Sequence, residues 1–175
     1  HRIARRQRQM CIRDRVALAD LRILFERGLP FDAALARASA ATGEDSPAED
    51  WAVKYASVGI PNEPMLASAL RVIAGELPAP KVDASGNAIV DSVIGAFLSG
   101  VEISGVFESS DEPVRDAVKQ AVGKLDNGDF EGADALLAPV AEQVPAIADW
   151  RGSYSARQSA DAAIAAWQDK VLAQV

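Results

Sequence analysis

Beyond position 14 the sequence contains neither cysteine nor histidine; Cys11 and His1 are the only ones in its 175 residues. Residues 15–175 therefore lack the commonest general base, the thiol nucleophile and the best zinc ligands. Disulfides are excluded there, so cysteine usage gives no redox compartment. There is no P-loop and no dinucleotide-binding glycine pattern; Gly95, Gly100 and Gly105 recur every five residues, which matches no phosphate cradle. The acidic pairs Glu44-Asp45 and Glu49-Asp50 stand beside expected helix starts, where carboxylates favour the helix dipole. These absences point away from an enzyme, and no cofactor or metal is expected. An enzyme working with carboxylates alone would need a deep pocket with two converging acids. The sequence also has no signal peptide and no apolar run of about 18 residues, the length of a membrane-spanning helix. It starts mid-pattern, so a membrane anchor is expected upstream.

Aromatic residues are scarce too, at 6%, while hydrophobic residues reach 49%. The core must then be built from Ala, Val, Leu and Ile. Alanine is the best helix former, and alanine-rich cores suit closely packed helices, so the expected fold is all-α. The first fourteen residues, HRIARRQRQMCIRD, are set apart by five arginines and one acid. The string RRQRQMCIRD resembles the translated read-through of a sequencing-library adapter; the alternative is a basic arm for nucleic acid or anionic lipid. Residues 1–14 are left out of the fold reasoning. The whole chain carries −7; residues 15–175 hold 13 basic and 24 acidic side chains, a net −11. That charge repels phosphate backbones, so no nucleic-acid partner is expected.

Helical periodicity organises what remains. A helix is predicted over 15–27, with Ala17, Leu18, Leu21, Leu24 and Phe25 on one face and Val16 and Ile23 off it. Gly28 ends it, and the short Leu29-Pro30 turn predicts an antiparallel second helix over 31–41. Ser46-Pro47-Ala48-Glu49 forms a capping box with proline at the first helical position. It predicts a helix to about residue 57, broken by Gly59-Ile60-Pro61. Asn62 caps a helix running over 65–76. Residues 77–86 (LPAPKVDASG) read as a polar, proline-rich linker. Further on, Asp111-Glu112-Pro113 starts a helix to position 125, Asn127-Gly128 turns it, and residues 130–137 return until Pro139. A long last helix is predicted over 145–174, with Ala156, Ala160, Ala163, Ile164, Trp167 and Val171 on one face. The corners at Gly28 and Gly128 are alike but lie about 100 residues apart, which is no tetratricopeptide period. A single tetratricopeptide-like hairpin over 114–137 fits; a stacked array does not.

Residues 89–101 carry the most distinctive pattern. On a helix at 100° per residue, Ile89, Val90, Val93, Ile94, Phe97 and Val101 fill about 140° of arc, and Leu98 extends it. Asp91, Ser92, Gly95, Ser99 and Glu102 occupy the other side. Periodicity alone fits an ordinary core helix. The alternative is an interfacial helix that dips its apolar face into lipid, although such helices usually carry Lys or Arg on the polar face. Trp150, Tyr154 and Trp167 on the last helix fit either packing against the hairpins or a groove for a partner protein.

Four segments, in order, resemble the C-terminal domain of the mitofilin family as found in alphaproteobacteria. ALADLRILFERGLPFDAAL (Ala17 to Leu35) resembles its opening A-L-x-x-L-R helix and G-x-P-F turn. ASVGIPNEPML (Ala56 to Leu66) is similar to its G-[IV]-P element. LDNGDFEGADALLA (Leu125 to Ala138) resembles its G-D-x-x-x-A hairpin corner, and DWRGSYSARQSADAAI (Asp149 to Ile164) its closing helix, with Tyr154 at a small-residue position. The resemblance spans about 17–172. It implies a domain that follows a membrane anchor and a coiled coil and that shapes inner membranes, at cristae junctions in mitochondria and in intracytoplasmic membranes of bacteria. It also implies a lipid-binding helix at the place of Ile89 to Val101. Where the family carries a basic V-R-R-V-G-like string, this chain has Val101-Glu102-Ile103-Ser104-Gly105-Val106, without the arginines that would strengthen binding to anionic lipid.

The expected architecture is therefore all-α: short helical hairpins in a bundle, a long C-terminal helix and a mobile amphipathic helix. Residues 15–76 would form N-terminal helices, 77–110 the linker and membrane-binding segment, and 111–175 a C-terminal bundle. The expected function is membrane shaping and scaffolding on the periplasmic side of a bacterial inner membrane. Expected partners are a lipid surface, further copies of the chain, and an outer-membrane assembly or periplasmic protein. The alternative is a periplasmic tetratricopeptide-like adaptor that binds proteins and never touches lipid.

Overall fold

The computed structural model describes residues 2–42, 50–75 and 112–173. Among the described residues there are seven α-helices and no strand, so the fold is all-α with a long C-terminal helix, as the composition implied. The helices are α1 (Arg2–Arg27), α2 (Asp32–Thr42), α3 (Asp50–Tyr55), α4 (Glu63–Ile73), α5 (Glu112–Leu125), α6 (Phe130–Leu137) and α7 (Pro145–Ala173), with a 3₁₀ turn at Ala138–Val140. The capping box at 46–49, the linker at 77–86 and the amphipathic segment at 89–101 lie outside the described residues.

Helix α1 begins at Arg2, well before the predicted start at 15. The physical reason is local. Residues 2–14 contain no proline or glycine and are rich in Arg, Gln, Ala and Met, so nothing there stops a helix nucleated downstream. The end of α4 differs in the other direction. It stops at Ile73 because Gly75 takes φ +76° and its N–H bonds the Val72 carbonyl at 3.0 Å. Pro139 does what its chemistry demands: α6 ends at Leu137 and the chain tightens into the 3₁₀ turn that contains it.

Compactness divides the chain in two. Among the described residues, one unit joins those up to 62 with those from 156 on; the other takes those between 63 and 155. This partition differs from one drawn along the sequence, since α4 groups with α5 and α6, and the later part of α7 groups with α1 to α3. The hydrophobic stripes explain it. In α7, Ala160, Ile164, Trp167 and Val171 are buried with Leu18, Leu21, Phe25, Phe31, Leu35 and Trp51. The earlier Ile147 and Trp150 are buried instead with Leu66, Leu70, Val118, Ala121 and Leu137.

Each unit has its aromatic centre. In the first, Phe25 meets Phe31 edge-on at 4.5 Å between ring centres and Trp51 at 5.7 Å. These edge-to-face contacts add to simple area burial. Val16 and Ile23, off the apolar stripe of α1, remain 54% and 45% exposed, as the periodicity predicts. In the second unit α5 and α6 form an antiparallel hairpin, with α4 and the start of α7 packed on it.

Two helix-interior glycines weaken this frame. A Cβ added at Gly123 in α5 or at Gly152 in α7 would meet nothing within 4 Å. Glycine in a helix costs about 0.5–1 kcal/mol relative to alanine, mostly through the entropy of the unfolded chain. Gly123→Ala and Gly152→Ala are therefore each expected to raise stability by about that amount. The check is a rightward shift of the urea midpoint with unchanged slope; a leftward shift would refute the claim of open space.

Candidate functional site

Three of the four segments that carry the family resemblance converge on the C-terminal end of α1. That end is closed by a Schellman motif: Gly28, at φ +66°, bonds its N–H to Phe25 O at 3.1 Å, and Leu29 N–H reaches Leu24 O at 3.0 Å. The chain then turns through Pro30. Phe31 N–H and Asp32 N–H both donate to Ala56 O, at 2.7 and 3.1 Å, which ties the start of α2 to the end of α3. Gly59, at φ +94°, lies so close that a Cβ there would land on the Gly28 carbonyl oxygen. Asn62 Nδ2 donates to Glu26 O at 3.1 Å. From α7, Arg157 Nη1 donates to Phe25 O at 2.8 Å while its Nε holds Asp161 at 2.7 Å. Phe25 O already accepts from Gly28 N–H, so the Arg157 cation adds a second bond there and complements the helix dipole. This corner is a structural clasp made of backbone groups and the side-chain donors of Asn62 and Arg157.

The fourth segment makes a second corner, in the other unit. Gly128 (φ +73°) and Asp129 close α5 with the same Schellman pattern: Gly128 N–H to Leu125 O at 2.9 Å and Asp129 N–H to Lys124 O at 3.0 Å. Asp129 also caps α6, accepting from Gly132 N–H at 2.8 Å, and pairs with Lys124 Nζ at 2.9 Å. The Lys124 hydrogen bond, then that of the Gly132 N–H, holds the Asp129 carboxyl below its ordinary pKa. Sequence reasoning missed this cap, although an Asp three residues before Gly132 in G-D-F-E-G was its signal. Arg71 and Asp126 pair at 2.6 Å beside it.

Next to this corner stand two of the aromatic residues singled out from the sequence. Trp150 is buried, and its Nε1 donates to Leu66 O at 2.7 Å. Its ring stacks on Tyr154 at 5.8 Å, and Tyr154 stacks on Phe130 at 6.1 Å. Trp150 and Trp167 are core residues of their own units; of the three predicted partner aromatics only Tyr154 keeps a partly exposed ring. Arg151 holds Asp134 through Nε at 2.7 Å and Nη2 at 3.2 Å, a two-pronged bond that raises the Arg151 pKa. Burial, then the carboxylates of Glu131, Asp134, Glu63 and Asp129, pushes the Tyr154 pKa up.

Open space lies along α1. A shallow groove of about 410 Å³ between α1 and α2 has Arg13, Asp20 and Arg37 around Val16, Ala40 and Ala41. A second, of about 320 Å³, contains Glu26 and Asp161, each already paired with an arginine four residues away. Among the described residues no group of three or more His, Cys, Asp or Glu converges as a metal site, and no helix is long and apolar enough to cross a membrane. The predicted lipid-facing residues Ile89, Val90, Val93, Ile94, Phe97, Leu98 and Val101 lie outside the described residues. No protein-family model, curated protein or solved structure matches this chain.

Proposed function

We propose that this chain is a non-catalytic scaffold of the mitofilin type. It would shape membrane on the periplasmic side of a bacterial inner membrane, through the amphipathic segment Ile89 to Val101 and through contacts between copies. What supports the reading is the clasp at the end of α1. Segments chosen on sequence resemblance alone, Ala17 to Leu35, Ala56 to Leu66 and Asp149 to Ile164, supply Phe25, Gly28, Gly59 and Arg157 to one hydrogen-bonded corner. Motifs that co-occur for a structural reason are expected to meet in space, whereas chance matches scatter.

The test is co-sedimentation of the full chain and its Phe97→Asp variant with liposomes of graded anionic content, pure zwitterionic vesicles included. Binding by the parent that Phe97→Asp reduces at least tenfold is expected, with both proteins equally helical by circular dichroism. A charge at the centre of an interfacial helix forfeits its apolar insertion, worth more than 1.4 kcal/mol. Zwitterionic vesicles separate this effect from attraction by the arginines of residues 2–13. Equal binding by both proteins, or none at any composition, would sink the lipid reading.

One observation favours the second reading, a tetratricopeptide-like adaptor that captures protein without lipid. Phe130 at the start of α6 and Tyr154 on α7, both half-buried, stack on each other beside a set of carboxylates.

A further inference from the structure

The surface beside Tyr154 combines two things that recognise the same chemistry. The first is the stack of Phe130 and Tyr154, both half-buried, on the buried Trp150. A firmly backed aromatic surface attracts a guanidinium or ammonium group through its ring quadrupole. The second is charge. Four carboxylates from three places in the chain stand near this step: Asp129 and Glu131 flank Phe130, Asp134 follows one turn on, and Glu63 starts α4 one turn before Leu66, whose carbonyl holds the Trp150 indole; their charge helps push the pKa of the Tyr154 hydroxyl up. Lys124 neutralises Asp129 and Arg151 neutralises Asp134. Glu63 and Glu131 make no ion pair among the described residues, so the aromatic step carries an excess of negative charge.

We infer that the Phe130–Tyr154 step docks a basic linear peptide. An arginine or lysine of the peptide lies against the aromatic pair, and neighbouring basic residues meet Glu63 and Glu131. Apolar rings supply contact area and the bare carboxylates supply sign, so a neutral or acidic segment is rejected. The inference gives the adaptor reading its partner class and is independent of the lipid reading.

The test measures fluorescence anisotropy of a short dye-labelled peptide of arginine, glycine and serine, with the full chain, at low and at physiological salt. Its counterpart with glutamine for arginine is the control. The arginine peptide is expected to bind and the glutamine peptide not to. Glu63→Gln with Glu131→Gln is expected to weaken binding about tenfold, the combined size of two exposed ion pairs. Phe130→Leu, which keeps an apolar side chain, is expected to weaken it about two- to five-fold, the size of one exposed cation–π contact. Glu142→Gln with Asp149→Asn removes two acids of the same unit that do not act on Tyr154, and should leave binding unchanged. The inference is overturned if the arginine peptide does not bind, if the glutamine peptide binds equally, or if the control pair weakens binding as much as the Glu63 and Glu131 pair.

Discussion

Trp150→Ala is expected to lower the unfolding free energy by about 3–5 kcal/mol, the range for truncating a large buried aromatic. The residue is 1% exposed, it is the largest fully buried side chain, and its neighbours Leu66, Leu137 and Ile147 are at 0%. They belong to α4, α6 and α7, which can collapse onto the vacated volume only by moving whole helices, so most of the cavity term survives. The indole N–H to Leu66 O bond at 2.7 Å and the stack on Tyr154 are lost as well. Trp150→Phe separates these contributions: it keeps most of the apolar area, drops the hydrogen bond, and should cost about 1–2 kcal/mol. Urea unfolding followed by far-ultraviolet circular dichroism reads both. A loss below about 1 kcal/mol for Trp150→Ala would mean that α4 does not pack on this tryptophan.

The second large effect belongs to a glycine. Gly59→Ala is expected to cost more than about 3 kcal/mol, and Gly128→Ala only about 1–2 kcal/mol, although both positions have positive φ. The conformational penalty of placing an L side chain in the left-handed region is shared, at about 1–2 kcal/mol. The surroundings are not shared. A Cβ at Gly128 meets nothing, whereas one at Gly59 overlaps the backbone carbonyl of Gly28, itself fixed by the Schellman bonds that end α1. Backbone cannot step aside as a flexible side chain can, so the two corners must part. Differential scanning calorimetry of the two variants gives the comparison. Equal losses would show that the corners at Gly28 and Gly59 are not in contact.

The parts of this architecture that could be read from the sequence are those decided within one helical turn. Gly28, Asn127-Gly128 and Pro139 punctuate where local chemistry demands. The stripe Ala160, Ile164, Trp167 and Val171 is buried as a 3.6-residue period requires. α4 ends earlier than its helical period predicts, because the apolar period continues up to Gly75 and a single glycine is weak evidence against such a run. The resemblance covers Arg157, but its bond could not be read, because the partner Phe25 is 132 residues away and the acceptor is a backbone carbonyl, which has no sequence signature. For the candidate site the same limit applies. Glu63 and Glu131 stand in the first turns of α4 and α6, where acids are common, so neither carries a signal of its own, and only the fold brings both near one tyrosine.

The way the chain is divided sets the order in which it can become stable during synthesis. Among the described residues, the core of the second unit draws only on residues between Leu66 and Trp150, so all its parts exist once Ser155 has left the ribosome. The N-terminal helices leave the tunnel first yet finish last, since their core needs Ala160, Ile164, Trp167 and Val171 from the end of the chain. Until then Leu18, Leu21 and Phe25 can pack only on α2 and α3, and the side that the end of α7 covers stays open, a natural client surface for chaperones. A stop codon shortly after Ser155 would leave the central unit whole and strand the N-terminal helices, making them the preferred point of entry for a protease.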